Sequence, residues 1–258
     1  MKLSSMSRFP LPGFFSHTQK QSSLFSSLRP AFYFLEVAFY CVIAWFSIRF
    51  VLDRASFPYL PQALSYLRYA SILFCFSYAL MASETKKRKE NAYEKATPLL
   101  TQALFFTVCA DYFLIFSNYY LPGILFFILV QNTYRRFLSA PFAYWFCSGS
   151  AMMGILLLAS RFFPIAFDFV NAFSAFYGGC LLANLLYSAK KGPGWFTLSL
   201  TLLLLCDFHV ALGHLFFYPS ALYPSWLITW TSLTPFLIWG FYLPAQILLA
   251  AHADAQLT

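Results

Sequence analysis

Charge is scarce in this chain. Asp, Glu, Lys and Arg make up 10% of its 258 residues, against about 25% in a soluble domain. That shortage excludes an ordinary water-facing surface. Acids are scarcer than bases, nine against seventeen, which leaves few carboxylates for metal binding or acid–base work. The sequence also lacks a G-x-S-x-G elbow, a P-loop, a G-x-G-x-x-G turn and an H-E-x-x-H helix. The nucleophile, phosphate, dinucleotide and zinc chemistries that travel with those motifs are therefore not signalled. The stretch CSGSAMMG has the wrong glycine spacing for an elbow and reads as small residues for helix packing. Six cysteines are scattered without the clustering a thiolate metal site needs, so they are expected as buried thiols within apolar helices. No cofactor and no metal are indicated.

What is present is apolar. Hydrophobic residues are 60% of the chain, aromatics 22%, and the mean hydropathy is +0.64. The apolar runs are too long and continuous for barrel strands, which alternate over ~10 residues. They predict an all-α polytopic membrane protein, a bundle of eight transmembrane helices each near the ~20 residues needed to cross the hydrocarbon. The expected spans are 31–52, 64–83, 98–117, 121–138, 144–162, 165–189, 195–217 and 227–250. Pro58, Pro61, Pro122, Pro141, Pro164, Gly192-Pro193-Gly194, Pro219 and Pro224 punctuate them. The eight spans form one transmembrane domain, 31–250, between a basic tail, 1–30, and a short C-terminal tail, 251–258.

Loop charge orients the bundle. One side holds Lys2, Arg8, Lys20, Arg29, Lys86, Lys87, Arg88, Lys89, Lys95, Arg135, Arg136, Lys190 and Lys191. The other holds Arg49, Arg54 and Arg161, with Arg68 left inside span 2. Thirteen against three places both termini in the cytoplasm by the positive-inside rule. The net charge of +8 reflects that rule and does not point to nucleic acid; the KKRK run suits anionic lipid headgroups. The N-terminal tail has no continuous apolar core, so it does not read as a cleavable signal peptide. A flexible tail is the plain expectation, and an interfacial segment the alternative.

Against this background two aspartates stand out. Asp111 and Asp207 each lie alone in the middle of an apolar run. A carboxylate there costs roughly 2.5–3.5 kcal/mol on insertion scales and is usually functional. Asp111 lies ~20 Å and Asp207 ~18 Å from the cytoplasmic ends of spans 3 and 7 at 1.5 Å per residue, so two helices running the same way carry carboxylates to one level. Gln131 lies ~15 Å from the outer end of span 4. Tyr134 follows it by one turn, and Tyr242 and Gln246 share a face of span 8. Glu36 reads as a snorkelling acid near a span end, and Asp168 as a solvated acid or an N-cap. Asn171 and Asn184 read as interhelical glue. His209 should point away from Asp207, and His214 lies two turns along the Asp207 face.

Four segments carry a resemblance. Span 3 has FFTVCADYFLIF, with Asp111. Span 4 has PGILFFILVQNTY, with Gly123, Gln131 and Tyr134. Span 7 has LSLTLLLLCDFHVAL, with Cys206 and Asp207. Span 8 has FYLPAQILLA, with Tyr242, Ala245 and Gln246. In order and spacing the chain resembles the YhhN-type lysoplasmalogenases, eight-span membrane proteins that cleave the vinyl ether bond of lysoplasmalogens. It departs from them at Gln131, where a histidine is expected, at Ala110, where glycine is usual, and at Cys206, where serine is usual. The resemblance implies a lysophospholipid substrate held in the bilayer, with release of a fatty aldehyde.

That reaction starts with proton transfer to the vinyl carbon and passes through an oxocarbenium ion before water adds. It calls for one acid and one carboxylate, a division that two nearby aspartates in a low-dielectric site supply, as glycosidase carboxylates do. Asp111 and Asp207 are the expected catalytic pair, in either order. Gln131, Tyr134, Tyr242 and Gln246 are the expected substrate- and water-positioning groups. Glutamine has no proton to give as an acid, so Gln131 is an orienting group at most. Two other classes stay open. A proton-coupled transporter would use the same acids as a relay, although no internal repeat or paired broken helices favour it. A catalytically inactive lipid-binding protein would account for the missing histidine. The host membrane would be a bacterial inner membrane or the endoplasmic reticulum, and the oligomeric state is open.

Overall fold

A computed structural model describes residues 14–52, 60–90, 99–117, 119–162, 167–215 and 225–253, with backbone alone for 14–28, 50–52, 85–90, 214–215 and 225–232. His214 and parts of several expected spans and loops fall outside the described side chains. The described chain forms eight helices: α1 (Phe14–Leu52), α2 (Leu60–Glu90), α3 (Leu99–Phe116), α4 (Tyr120–Phe137), α5 (Phe142–Ala159), α6 (Phe169–Lys191), α7 (Gly194–Leu215) and α8 (Ser225–Ala251). Helix α1 begins well before the expected span and runs through Pro30. Residues 14–30 of the expected flexible tail are therefore helical. Helix α8 likewise continues through Pro235 and Pro244.

Seven of the eight helices are long and apolar enough to cross a membrane. The architecture is that of a multi-pass helical membrane protein. The exception is α4, whose C-terminal half carries Gln131, Asn132, Arg135 and Arg136. It nonetheless packs between α3 and α6.

The helices close into a ring in the order α1, α2, α3, α4, α6, α7, α8 and back to α1. Helix α8 also leans on α2 and α3, so it fills the middle of one half. Among the described residues helix α5 packs mainly on α6, outside the ring. Small residues permit that contact: a Cβ at Gly149 would meet Cys180 Sγ at 2.8 Å, and one at Gly179 would strike the Ser148 carbonyl. Because α5 only returns the chain, α4 and α6 lie side by side and parallel. Phe127 meets Tyr177 near one end and Gln131 meets Asn184 further along both helices.

Local signals set the helix ends. Asp168 is the N-cap of α6, its Oδ1 accepting the Asn171 N–H at 2.7 Å, as its position in the sequence suggests. The α4–α5 turn is a Schellman closure. Ser139 takes a positive φ of 53°, Ala140 N–H donates to the Arg135 carbonyl at 2.9 Å, and Ser139 N–H donates to that of Arg136 at 3.1 Å.

Two expectations change. Glu36 does not snorkel: it is fully buried between α1 and α2, accepting from Ser71 Oγ at 2.6 Å and Cys75 Sγ at 3.4 Å. Nor are all cysteines buried. Cys75, Cys180 and Cys206 are, while Cys41 and Cys147 lie exposed on the helical surface and Cys109 is half-buried. Thiols are apolar enough to face lipid as readily as core.

Candidate functional site

Two layers of polar groups lie among α3, α4, α6, α7 and α8. The first contains both aspartates. Asp111, on α3, is 4% exposed and accepts a hydrogen bond from Tyr242 Oη on α8 at 2.7 Å. Asp207, on α7, is half-buried and accepts one from Tyr177 Oη on α6, also at 2.7 Å. Among the described residues neither carboxylate has a cationic partner. Each aspartate is thus held by one tyrosine from a neighbouring helix, in two pairs of the same build.

The pairs stand at one level. Helices α7 and α8 are antiparallel, and the His209 ring lies 5.4 Å from that of Phe241. Residue 242 is therefore beside residues 207–209, and the bond from Tyr242 fixes Asp111 to that level. Cys206, buried next to Asp207 in sequence, is within electrostatic reach of both carboxylates, and Tyr177 is within reach of Tyr242. The common depth expected from the sequence is what the packing delivers.

The second layer is an amide layer. Asn184 Nδ2 donates to the backbone carbonyl of Gln131 at 2.8 Å and to its Oε1 at 3.0 Å. Asn184 follows Tyr177 by two turns on α6, so this layer sits ~10 Å from the carboxylates. Gln131 is not beside the aspartates; its carbonyl side is committed to Asn184, the interhelical glue expected of that residue. Its Nε2, the Asn184 Oδ1 and the Tyr134 Oη are buried without a partner. Tyr134 rests edge-on against Phe196 of α7, with ring centres 5.4 Å apart, and lies within electrostatic reach of Tyr177. It is the link between the layers. Gln246, one turn past Tyr242 on α8, is buried and its Oε1 is also unpartnered. Buried polar atoms of this kind are normally satisfied, by water where protein offers nothing.

Of the six sequence-predicted site residues, Asp111, Asp207 and Tyr242 share one layer. Gln131 and Tyr134 form a neighbouring one, and Gln246 lies on the face of α8 that carries Tyr242. Tyr177 escaped the sequence reading. Its depth in its own span, ~18 Å by helical rise, was the one available signal. His209 is buried with its Nδ1 at 2.7 Å from the Leu205 carbonyl, a ring turned back onto its own helix and away from Asp207. Among the described residues no three His, Cys, Asp or Glu side chains gather as metal ligands would.

Comparison of the chain with protein-family models, with curated proteins and with solved structures gave no match.

Proposed function

We propose that this protein is an integral-membrane hydrolase of the lysoplasmalogenase type, cleaving the vinyl ether bond of an alkenyl lysophospholipid to a fatty aldehyde and a glycerophospho-base. One observation carries the reading: two carboxylates from different helices stand at one level inside the ring, each oriented by a tyrosine hydroxyl and neither neutralised by a cation. Burying two such groups is expensive, and apolar residues would pack the same space at less cost.

The roles follow from access. Asp111 is the more enclosed of the two, which suits the acid that delivers a proton to the vinyl carbon. Asp207 keeps accessible surface, which suits the carboxylate that faces the oxocarbenium ion and guides water to it. Water adds, the hemiacetal collapses, and the glycerol oxygen leaves as a hydroxyl while the aldehyde forms. Tyr242 and Tyr177 position the carboxylates. Gln131, Tyr134 and Gln246 position water and the polar head through their unpartnered atoms.

All eight helices cross the bilayer in this reading, with both termini cytoplasmic. Gln131 of α4 faces Asn184 of α6 rather than lipid, and the packing of α4 between α3 and α6 supports a full crossing. The test is aldehyde release from an alkenyl lysophospholipid by purified protein, with Asp111→Asn and Asp207→Asn beside it. Full activity in either variant would sink the assignment. Proton-coupled uptake into liposomes without aldehyde release would favour the transporter class instead, and lipid binding without turnover the inactive class.

A further inference from the structure

Arg68 is an intramembrane cation that the proposed chemistry does not use. It lies in the apolar span of α2, ~12 Å from the Leu60 end of the helix at 1.5 Å per residue. It is half-buried and, among the described residues, has no carboxylate partner. One Nη donates to Ser47 Oγ on α1 at 3.1 Å, and the guanidinium carbon stands 5.0 Å above the Trp239 ring of α8. Its Nε is buried with no acceptor. Glu36, the buried acid of the α1–α2 interface, is taken up by Ser71 and Cys75 instead. A guanidinium this deep costs several kcal/mol unless an anion meets it, and the described residues do not provide that anion.

Its position says what the anion is attached to. Trp239 packs edge-on against Tyr242 with ring centres 5.2 Å apart, and Tyr242 holds Asp111. Arg68 is therefore separated from the sealed carboxylate by one indole and one phenol. We propose that Arg68 is the phosphate-binding residue of the substrate site, gripping the phosphodiester of the lysophospholipid head with its planar fork while Trp239 supports the guanidinium from below. The fork offers N–H groups in the geometry that phosphate oxygens accept in pairs, which a lysine cannot reproduce. A phosphate oxygen also satisfies the Nε–H that has no acceptor now. In a lysophospholipid about five bonds, on the order of 6 Å, separate the reacting ether oxygen from phosphorus. An anchor offset from Asp111 by two rings suits that span. The placement rests on the hydrolase reading, because Asp111 marks where the vinyl bond lies.

Binding separates this proposal from the reaction. The probe is a saturated alkyl-ether lysophosphatidylcholine, which has no vinyl bond to cleave. The comparison ligands are the matching alkylglycerol, which lacks phosphate, and inorganic phosphate alone. Affinities come from ligand-induced shifts in thermal unfolding of the full chain in uncharged detergent. The wild type is expected to prefer the phospholipid over the alkylglycerol by ~10-fold or more, the scale of charge-assisted hydrogen bonds. Arg68→Gln should lose that preference while binding the alkylglycerol as before, and Arg68→Lys should keep part of it. Because both ligands are compared within one variant, a general loss of stability does not imitate the result. In turnover, Arg68→Gln should raise KM for the alkenyl lysophospholipid and leave kcat close to wild type. An unchanged phosphate preference in Arg68→Gln, or an equal shift from inorganic phosphate, would overturn the proposal. Absence of aldehyde release beside an Arg68-dependent phosphate preference would remove the hydrolase reading and leave this one standing. Turnover with an Arg68→Gln KM equal to wild type would do the reverse.

Discussion

Asp111–Tyr242 and Asp207–Tyr177 are the same contact built twice, yet their surroundings differ. The first joins α3 to α8, the ring helix that also leans on α2 and α3, and is the more enclosed. The second joins two consecutive ring helices, α6 and α7, and both of its members keep accessible surface. One chemistry at one depth thus meets two degrees of enclosure. Helix α8 gives Asp111 its hydroxyl partner, whereas Asp207 takes its partner from α6. Two like groups acquire unlike tasks through what packs over them, not through their identity.

The largest test of that contrast is loss of the carboxylates. Asp111→Asn and Asp207→Asn should each lower the rate of aldehyde release ~10²–10⁴-fold, the usual weight of a positioned acid or base. Chemical rescue then separates the two. Formate added to Asp207→Asn should restore activity about tenfold, since that site keeps accessible surface, and should restore Asp111→Asn less. Equal rescue of both would erase the difference in enclosure. The tyrosines give a smaller, structural readout. Tyr242→Phe leaves a sealed carboxylate without its donor and should cost ~1–3 kcal/mol, seen as a lower unfolding temperature. Tyr177→Phe should cost about 0.5 kcal/mol or less, because water replaces the hydroxyl. Asn184→Ala should cost about as much as Tyr242→Phe, by stranding the Gln131 Oε1 and carbonyl. It should also leave the formate contrast untouched, as the amide layer is a separate one.

Much of the fold can be read along the chain because lipid imposes a local rule. Apolar length and proline punctuation locate the helices, and a carboxylate amid leucines announces itself by cost. Asp168 capping α6 is equally local, since the acid and the amide it accepts are three residues apart. What escapes such reading depends on which helix stands beside which. Tyr177 is one of seventeen tyrosines in an aromatic-rich chain, and nothing in its neighbours distinguishes it; only the approach of α7 gives it Asp207. Glu36 looks like a span-end acid until α2 brings Ser71 and Cys75 over it. Gln131 looks aligned with the aspartates until Asn184 shows which layer it serves.

The position of α5 has a consequence for how such a ring can be assembled. In α/β proteins two parallel strands are neighbours only because a crossover carries the chain back between them. Helix α5 performs that office in an all-helical protein. It is a return path that lets α4 and α6 run side by side in the same direction, so that Gln131 and Asn184 meet in register. Its duty is connective, and its sequence is bound mainly by the need to be apolar and to keep Gly149 against α6. An α5 replaced by another apolar helix with that one glycine preserved would leave both polar layers in place.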